Sequence, residues 1–227
     1  MVHAGDRTFL ESVRSDRHDR SGRSAVCTWA AISYAWFGLA GRAWTEGAAS
    51  LRARGLIEPH IAEDIACLWH FGRLIANSDM HDGNLSFRPC RIGSRSGFTL
   101  APVFDMLPMQ YAPVRDVEWM PVNFQPLPPL SAERRAWTRA TGAAVQFWHT
   151  ASRDARISDE FRATCAENRD RVCRMIELSQ VPLAHNLHLR SCPSAVPPPS
   201  TAPLTRQSGC LLSEFGSLIA CARIVEV

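Results

Sequence analysis

Apolar residues recur at helical spacing through the middle of the chain. Between Pro59 and Ala76 an apolar residue or glycine returns every three or four positions, which predicts a helix with one buried face. Pro59 suits the first turn of that helix, because its missing N–H would be unpaired there anyway. The face predicted to be buried consists of Ile61, Ile65, Leu68, Gly72 and Ile75.

Two longer amphipathic segments predict helices in the second half of the chain. The first is expected to be capped by Ser131 and the second by Ser158, since a serine hydroxyl can accept a hydrogen bond from the first turn. The inward positions are Trp137, Ala140, Ala144, Phe147 and Trp148 in the first, and Phe161, Cys165, Val172 and Ile176 in the second.

Shorter segments complete the predicted fold. Residues 25–39 are expected to contain an aromatic-rich helix, and Thr45 is expected to cap another that ends near Gly55. Residues 7–14 are compatible with a short strand, and "LSFR" (85–88) and "FTLAPVF" (98–104) predict the two strands of a β-hairpin. The segment from Met106 to Pro129 is expected to be a loop. The pattern therefore indicates a mainly α fold with one small β-hairpin.

Composition limits the classes of function. The net charge of +3 on 227 residues is too small and too dispersed for the concentrated cationic face that nucleic-acid binding requires. No apolar run is long enough to cross a bilayer, so we expect a cytoplasmic protein without membrane association. The eight cysteines lack zinc-finger spacing and are expected to be reduced thiols. All 25 basic residues are arginine, so any reaction that needs a lysine must obtain it elsewhere.

The polar run "NSDMHDGNLSF" (77–87) follows the central helix and carries the candidate chemistry. Asn84 precedes the first hairpin strand and Asp105 follows the second, and such positions in an antiparallel pair lie roughly 5 Å apart. Amide and carboxylate oxygens are ligands that Mg²⁺ prefers. We therefore predict that Asn84 and Asp105 bind Mg²⁺ and, through it, the phosphates of ATP.

Asp79 is the candidate catalytic base, because a carboxylate in this loop could accept the proton of a hydroxyl that is to be phosphorylated. His81 is expected to brace the loop by hydrogen bonding, and Asn77 is expected to cap the preceding helix. The order D-x-x-x-x-N, hairpin, D is the layout of a kinase C-terminal lobe. Phosphoryl transfer requires mainly positioning and charge neutralisation, which these residue types supply.

Two other interpretations remain open from the residues alone. Asp, Asn, Ser and Gly favour turns, so Asp105 could cap a short helix and His81 could be structural. Alternatively, His81 and Asp82, with His60 or His70 and with Asp105, superficially match an HD-type metal phosphohydrolase. Such sites place their ligands on helices, whereas Gly83 and the following strand put this pair in a loop, which disfavours the hydrolase.

The segments "GRLIANSDMHDGNLSF" (72–87) and "LAPVFDMLPMQYAP" (100–113) resemble the C-terminal domain of HipA-like serine/threonine kinases, the toxins of bacterial toxin–antitoxin pairs. The resemblance runs from about Arg7 to Leu178, with "FLESVRSDR" (9–17) similar to the segment that joins the two lobes. It implies that Asp79 is the catalytic base and that Asn84 and Asp105 are Mg²⁺ ligands. It also implies a protein substrate with a serine hydroxyl and an antitoxin partner.

The resemblance divides the chain into a lobe-joining remnant (1–22), a kinase C-terminal lobe (23–190) and a Pro-rich linker with a poorly anchored tail (191–227). Family members also have an N-terminal lobe with a phosphate-binding lysine, which we do not find here. Val13 and Ser15 stand where the family pattern has glutamate and phenylalanine. We therefore expect impaired activity in this chain. The alternative is an inactive pseudokinase-like module that binds an antitoxin or another protein.

Overall fold

The computed structural model describes residues 2–4, 7–9, 14–112 and 122–180. The protein is mainly helical, as predicted, and the strands of these described residues form three small antiparallel sheets. The helices are α1 (Trp29–Trp36), α2 (Trp44–Ala53), α3 (Pro59–Leu74), α4 (Arg134–Ala151) and α5 (Asp159–Gln180). The strands are β1 (Val2–Ala4), β2 (Arg7–Phe9), β3 (Arg17–His18), β4 (Gly22–Arg23), β5 (Cys27–Thr28), β6 (Ser86–Ile92) and β7 (Arg95–Leu100).

The chain forms two compact units. The first, unit 1, comprises Met1–Ala62 with His81–Phe104, and the second, unit 2, comprises Glu63–Met80 with Asp105–Val227. Predictions for residues 113–121 and for the tail at 191–227 lie outside the described residues. None of the described helices is both long and apolar enough to cross a membrane.

The largest sheet lies in unit 1 and has the order β5-β6-β7. The predicted hairpin is confirmed, with Phe87 opposite Leu100 and Ile92 opposite Arg95 around a tight turn that contains Gly93 at a φ of 59°. The third strand, β5, was not predicted and pairs only with Ser86 and Phe87.

The predicted end of the second hairpin strand at residue 104 is wrong, because β7 stops at Leu100. Pro102 follows shortly afterwards and has no N–H to donate to a ladder, which explains the early stop. Residues 101–108 have no regular secondary structure.

Further strands lie near the N-terminus. The strand expected in residues 7–14 is present as β2, which pairs with β1, and residues 10–13 are outside the described part. The polar connection after it contains the short β3–β4 hairpin, in which Arg17 pairs with Arg23.

The first two helices of unit 1 pack around Trp29, which is fully buried. Thr28 caps α1, since its hydroxyl accepts a bond from the Ala31 N–H at 3.3 Å. The prediction that Thr45 caps α2 is wrong, because the cap position is Ala43 and Thr45 lies inside the first turn. Gly47 of α2 faces the Trp29 indole, and a Cβ at that position would lie 2.5 Å from Cζ2 of the ring. Close approach of α2 to Trp29 therefore requires glycine.

Unit 2 is a helical core in which the predicted inward residues of α4 are all buried. Trp148 donates its Nε1–H to the Leu74 carbonyl at 3.0 Å and thereby satisfies an acceptor at the end of α3. The Phe71 and Phe147 rings meet edge to face with centroids 6.1 Å apart. On the surface, Arg139 pairs with Asp64 at 3.0 Å. The end of α3 is thus held by α4 through both polar and apolar contacts.

The helix caps of unit 2 agree only in part with expectation. Ser158 caps α5 as predicted, since its Oγ accepts a bond from the Phe161 N–H at 3.3 Å. Ser131 does not cap α4. It begins a 3₁₀ turn, Ser131–Glu133, in which the Glu133 carboxylate accepts a bond from the Leu130 N–H at 3.2 Å.

Candidate functional site

The polar run begins at a sharply defined helix end in unit 2. Ala76 has a φ of 60°, and the Asn77 N–H donates to the Gly72 carbonyl at 2.9 Å. A left-handed residue followed by this backward bond is a common way to close a helix. The expectation that Asn77 caps the helix is therefore met by its backbone, which leaves its side chain available for other contacts.

The Asn77 side chain connects the backbones of two candidate residues. Its Oδ1 accepts a bond from the Asp79 N–H at 2.9 Å, and its Nδ2 donates to the Asp105 carbonyl at 3.3 Å. The Nδ2 also lies 3.9 Å from the Met106 Sδ. Asn77 is only 7% exposed, so water competes little for these bonds. Unit 2 thus joins the Asp79 loop to the Asp105 segment through one buried carboxamide.

Asp105 itself has an unusual backbone. Its φ is 60°, in the left-handed region where Asp and Asn are tolerated better than most residues. The segment after it is anchored to the helical core, because Asn168 donates to the Tyr111 hydroxyl at 2.7 Å and Gln110 N–H donates to the Ala76 carbonyl at 3.0 Å. The side chains of Asp79 and Asp105 are both exposed.

A glycine on α3 makes room for the residues that flank these aspartates. A Cβ at Gly72 would clash with the Met80 thioether, lying 2.7 Å from its Cε, and would lie 3.1 Å from the Met106 Cε. Met80 follows Asp79 and Met106 follows Asp105, so both neighbours of the candidate residues rest on the same bare helix surface. The buried face of α3 that the sequence predicted therefore also packs, through Gly72, against the residues next to Asp79 and Asp105.

Unit 1 carries the other part of the run. The His81 ring braces its turn as expected, because its Nδ1 accepts a bond from the Gly83 N–H at 3.0 Å, and its carbonyl accepts from the Asn84 N–H at 3.1 Å. Asn84 is buried, with 4% exposure, two residues before β6. Asp82 has a structural role, since its carboxylate accepts from the Gly41 N–H at 2.9 Å.

The candidate residues are thus divided between the units: Asp79 and Asp105 belong to unit 2, and His81 and Asn84 belong to unit 1. The strand-end argument does not by itself place Asp105 beside Asn84, because β7 ends at Leu100, before Asp105. A shared Mg²⁺ site of these residues remains a prediction.

Other kinds of site find little support among the described residues. No group of three His, Cys, Asp or Glu side chains there is arranged to hold a metal ion, as the hydrolase alternative would require. The five cysteines of the described part are free, and burial raises the pKa of Cys67 to about 11 and of Cys165 to about 12, so neither is a ready nucleophile. A groove of about 500 Å³ in unit 1, between Trp36, Leu56 and the β6–β7 hairpin, contains none of the candidate residues.

His70, considered above as a possible metal ligand, is a buried residue of α3. It is 2% exposed, and its Nε2 has no hydrogen-bond partner among the described residues. Burial lowers the pKa of this imidazole, with a further lowering by Arg73 that is opposed by Glu133. The neutral ring is therefore the form that the core accommodates.

We expect acidification to destabilise the protein through His70. The unfolded chain takes up a proton near the ordinary pKa of 6.5, whereas the folded state resists it, so stability is complete above that pH and falls as the pH drops below it. Melting temperatures between pH 7.5 and 5.5 should fall less steeply in His70→Gln than in the natural protein. His60→Gln, at an exposed position of the same helix, is the control. Equal slopes for the natural protein and His70→Gln would contradict this assignment.

Comparison with known proteins gives one informative match. No protein-family model matches the chain. The chain is 37% identical over 182 residues to a protein of Escherichia coli (strain K12) that is named Toxin YjjJ. The match takes in 78% of this chain, so it includes residues 79–105 wherever it begins, and it covers 39% of the length of the relative. The chain is therefore similar to less than half of a longer protein.

Proposed function

We propose that the chain is a HipA-like serine/threonine kinase homologue that transfers the γ-phosphoryl group of ATP, with Mg²⁺, to a protein hydroxyl. In this proposal Asp79 accepts the proton of the attacking serine hydroxyl, and Asn84 and Asp105 bind the Mg²⁺ that holds the ATP phosphates. His81 keeps the loop between Asp79 and Asn84 in shape. Its ring bond to Gly83 supports this role.

The observation that carries the proposal is the Asn77 bridge within unit 2. Its carboxamide bonds the Asp79 N–H at 2.9 Å and the Asp105 carbonyl at 3.3 Å. Phosphoryl transfer needs a proton acceptor and a metal ligand held at a constant separation, because catalysis there is mainly positioning and electrostatic stabilisation. Two aspartates tied to one buried side chain meet that requirement better than two independent turn residues do.

The name of the E. coli relative favours a toxin role. An antitoxin partner is proposed from the resemblance to HipA-like toxins alone. Because the chain matches 39% of that relative, its substrate and partner are part of the proposal.

A second candidate function is a pseudokinase-like module that binds an antitoxin or another protein. It is favoured by the composition of the chain, in which all basic residues are arginine. A lysine usually contacts the nucleotide phosphates in kinases, so nucleotide affinity should be weak if this chain acts alone. Weak binding of nucleotide separates the kinase homologue from a module that binds none.

Titration with Mg²⁺ and ATP tests the proposal. At ten times the dissociation constant, binding to the folded state alone stabilises it by about 1.4 kcal/mol, which is measurable as a raised melting temperature. We expect this increase with Mg²⁺·ATP and its disappearance with EDTA. Transfer of labelled γ-phosphate to the protein or to a serine-containing acceptor should accompany it. A melting temperature that is unchanged at millimolar Mg²⁺·ATP would favour the binding module and contradict the kinase.

A further inference from the structure

We propose that Asn77 is the positioning residue of the candidate site, because its carboxamide sets the separation between the Asp79 loop and the Asp105 segment. The functional part of this inference rests on the proposed phosphoryl transfer. Asn77 does not contact a reacting group in this scheme. It acts through the backbones of the two aspartates, and its bond to the Asp105 carbonyl joins positions 28 residues apart in sequence.

The chemistry of the bridge requires an asparagine. One partner is an N–H donor and the other is a carbonyl acceptor, so the bridging side chain must accept at one atom and donate at another. Aspartate has only acceptors when it is ionised, and glutamine is longer by a methylene group. Asn77 is buried, so a side chain there that cannot make one of the two bonds leaves a polar atom with little water to replace its partner.

The residues around Asn77 fix the positions of the Asp79 loop and the Asp105 segment relative to α3. Asn77 follows directly after the left-handed Ala76, so its position is determined by the closed end of α3. On the other side, Met80 and Met106 rest against Gly72 of the same helix. Both segments thus contact α3, and the Asn77 carboxamide forms the polar connection between them. Misplacement of a catalytic group by about 1 Å can cost ~100-fold in rate, so a shift here is expected to be large in its effect.

Asn77→Asp tests the inference through its pH dependence. Near neutral pH the new carboxylate cannot donate to the Asp105 carbonyl, and we expect phosphoryl transfer to fall by about tenfold or more. At lower pH the protonated carboxyl regains a donor, so the activity relative to the natural protein should rise. Asn77→Ala should lose activity without recovery. Asn123→Asp, the same change at an exposed position of unit 2 whose side chain contacts Gln125, should show no such relative rise.

Amide hydrogen exchange tests the bridge without reference to activity. In Asn77→Ala the Asp79 amide and the amides that follow Asp105 should exchange at least tenfold faster, whereas those of α5 should not change. Exchange that is unchanged, or changed in only one of the two segments, would overturn the inference. If the natural protein transfers no phosphate but Asn77→Ala still speeds exchange in both segments, the kinase proposal is refuted and the bridge is supported.

Discussion

Replacement of Asp105 by asparagine is expected to weaken Mg²⁺-dependent binding of ATP by at least about tenfold. Asparagine tolerates the φ of 60° at this position, so the backbone is kept and only the negative charge is removed. Loss of even an outer-shell partner typically costs 10–100-fold in metal affinity, so replacing a directly bound carboxylate by a neutral amide should cost a similar amount. Calorimetric titration with Mg²⁺·ATP measures the change.

Asp82→Asn is the matched control for this experiment. The carboxylate of Asp82 accepts a bond from the Gly41 N–H, and an amide oxygen can accept the same bond. We therefore expect affinity for Mg²⁺·ATP to stay within about twofold of the natural protein, since no ligand is lost. Equal losses in the two variants would exclude a specific role for Asp105.

A single methyl group at Gly47 is expected to destabilise the protein by about 1–3 kcal/mol, the usual cost of overpacking. The new Cβ would lie 2.5 and 2.7 Å from Cζ2 and Cε2 of Trp29. That ring is fully buried and rigid, so it cannot move out of the way as the flexible end of a methionine side chain could. Urea unfolding of Gly47→Ala, monitored by tryptophan fluorescence, measures the loss.

Gly142→Ala provides the control, because Gly142 also lies inside a helix but has no neighbour within 4 Å of a new Cβ. Alanine has the higher helix propensity, so this variant should gain about 0.5–1 kcal/mol. The opposite signs of the two changes would identify the Trp29 contact as the cause. If Gly47→Ala also proved stabilising, α2 would not approach Trp29 as closely as described.

Periodicity predicted the helices because residues three or four positions apart lie on the same helix face, so a buried face appears as apolar residues at that spacing. The inward faces of α3 and α4 agree with their burial. Caps were harder to predict, because serine and threonine occur at many positions and only local backbone geometry selects one. Thus Ser158 accepts the expected bond, whereas Thr45 lies inside α2 and Ser131 lies in a 3₁₀ turn.

Strand ends and cross-chain bonds were the least predictable. β5 has two residues, too few for alternation to be visible. β7 stops at Leu100, so Asp105 does not directly follow a strand as predicted. The residue types of the polar run suggested a site, and Asn77 was noted there as a helix cap. Its bond to the Asp105 carbonyl could not be derived, because it joins positions 28 residues apart.

Two residues in the left-handed region adjoin the Asn77 bridge: Ala76 immediately before it, and Asp105 at its far end. Each such conformation costs of the order of 1–2 kcal/mol, which the surrounding packing must outweigh. The hydrogen bond from the Trp148 indole N–H to the Leu74 carbonyl contributes to that packing. Loss of that hydrogen bond would therefore let the polar run relax toward ordinary backbone angles, so the shape of the run depends on Trp148 as well as on its own polar atoms.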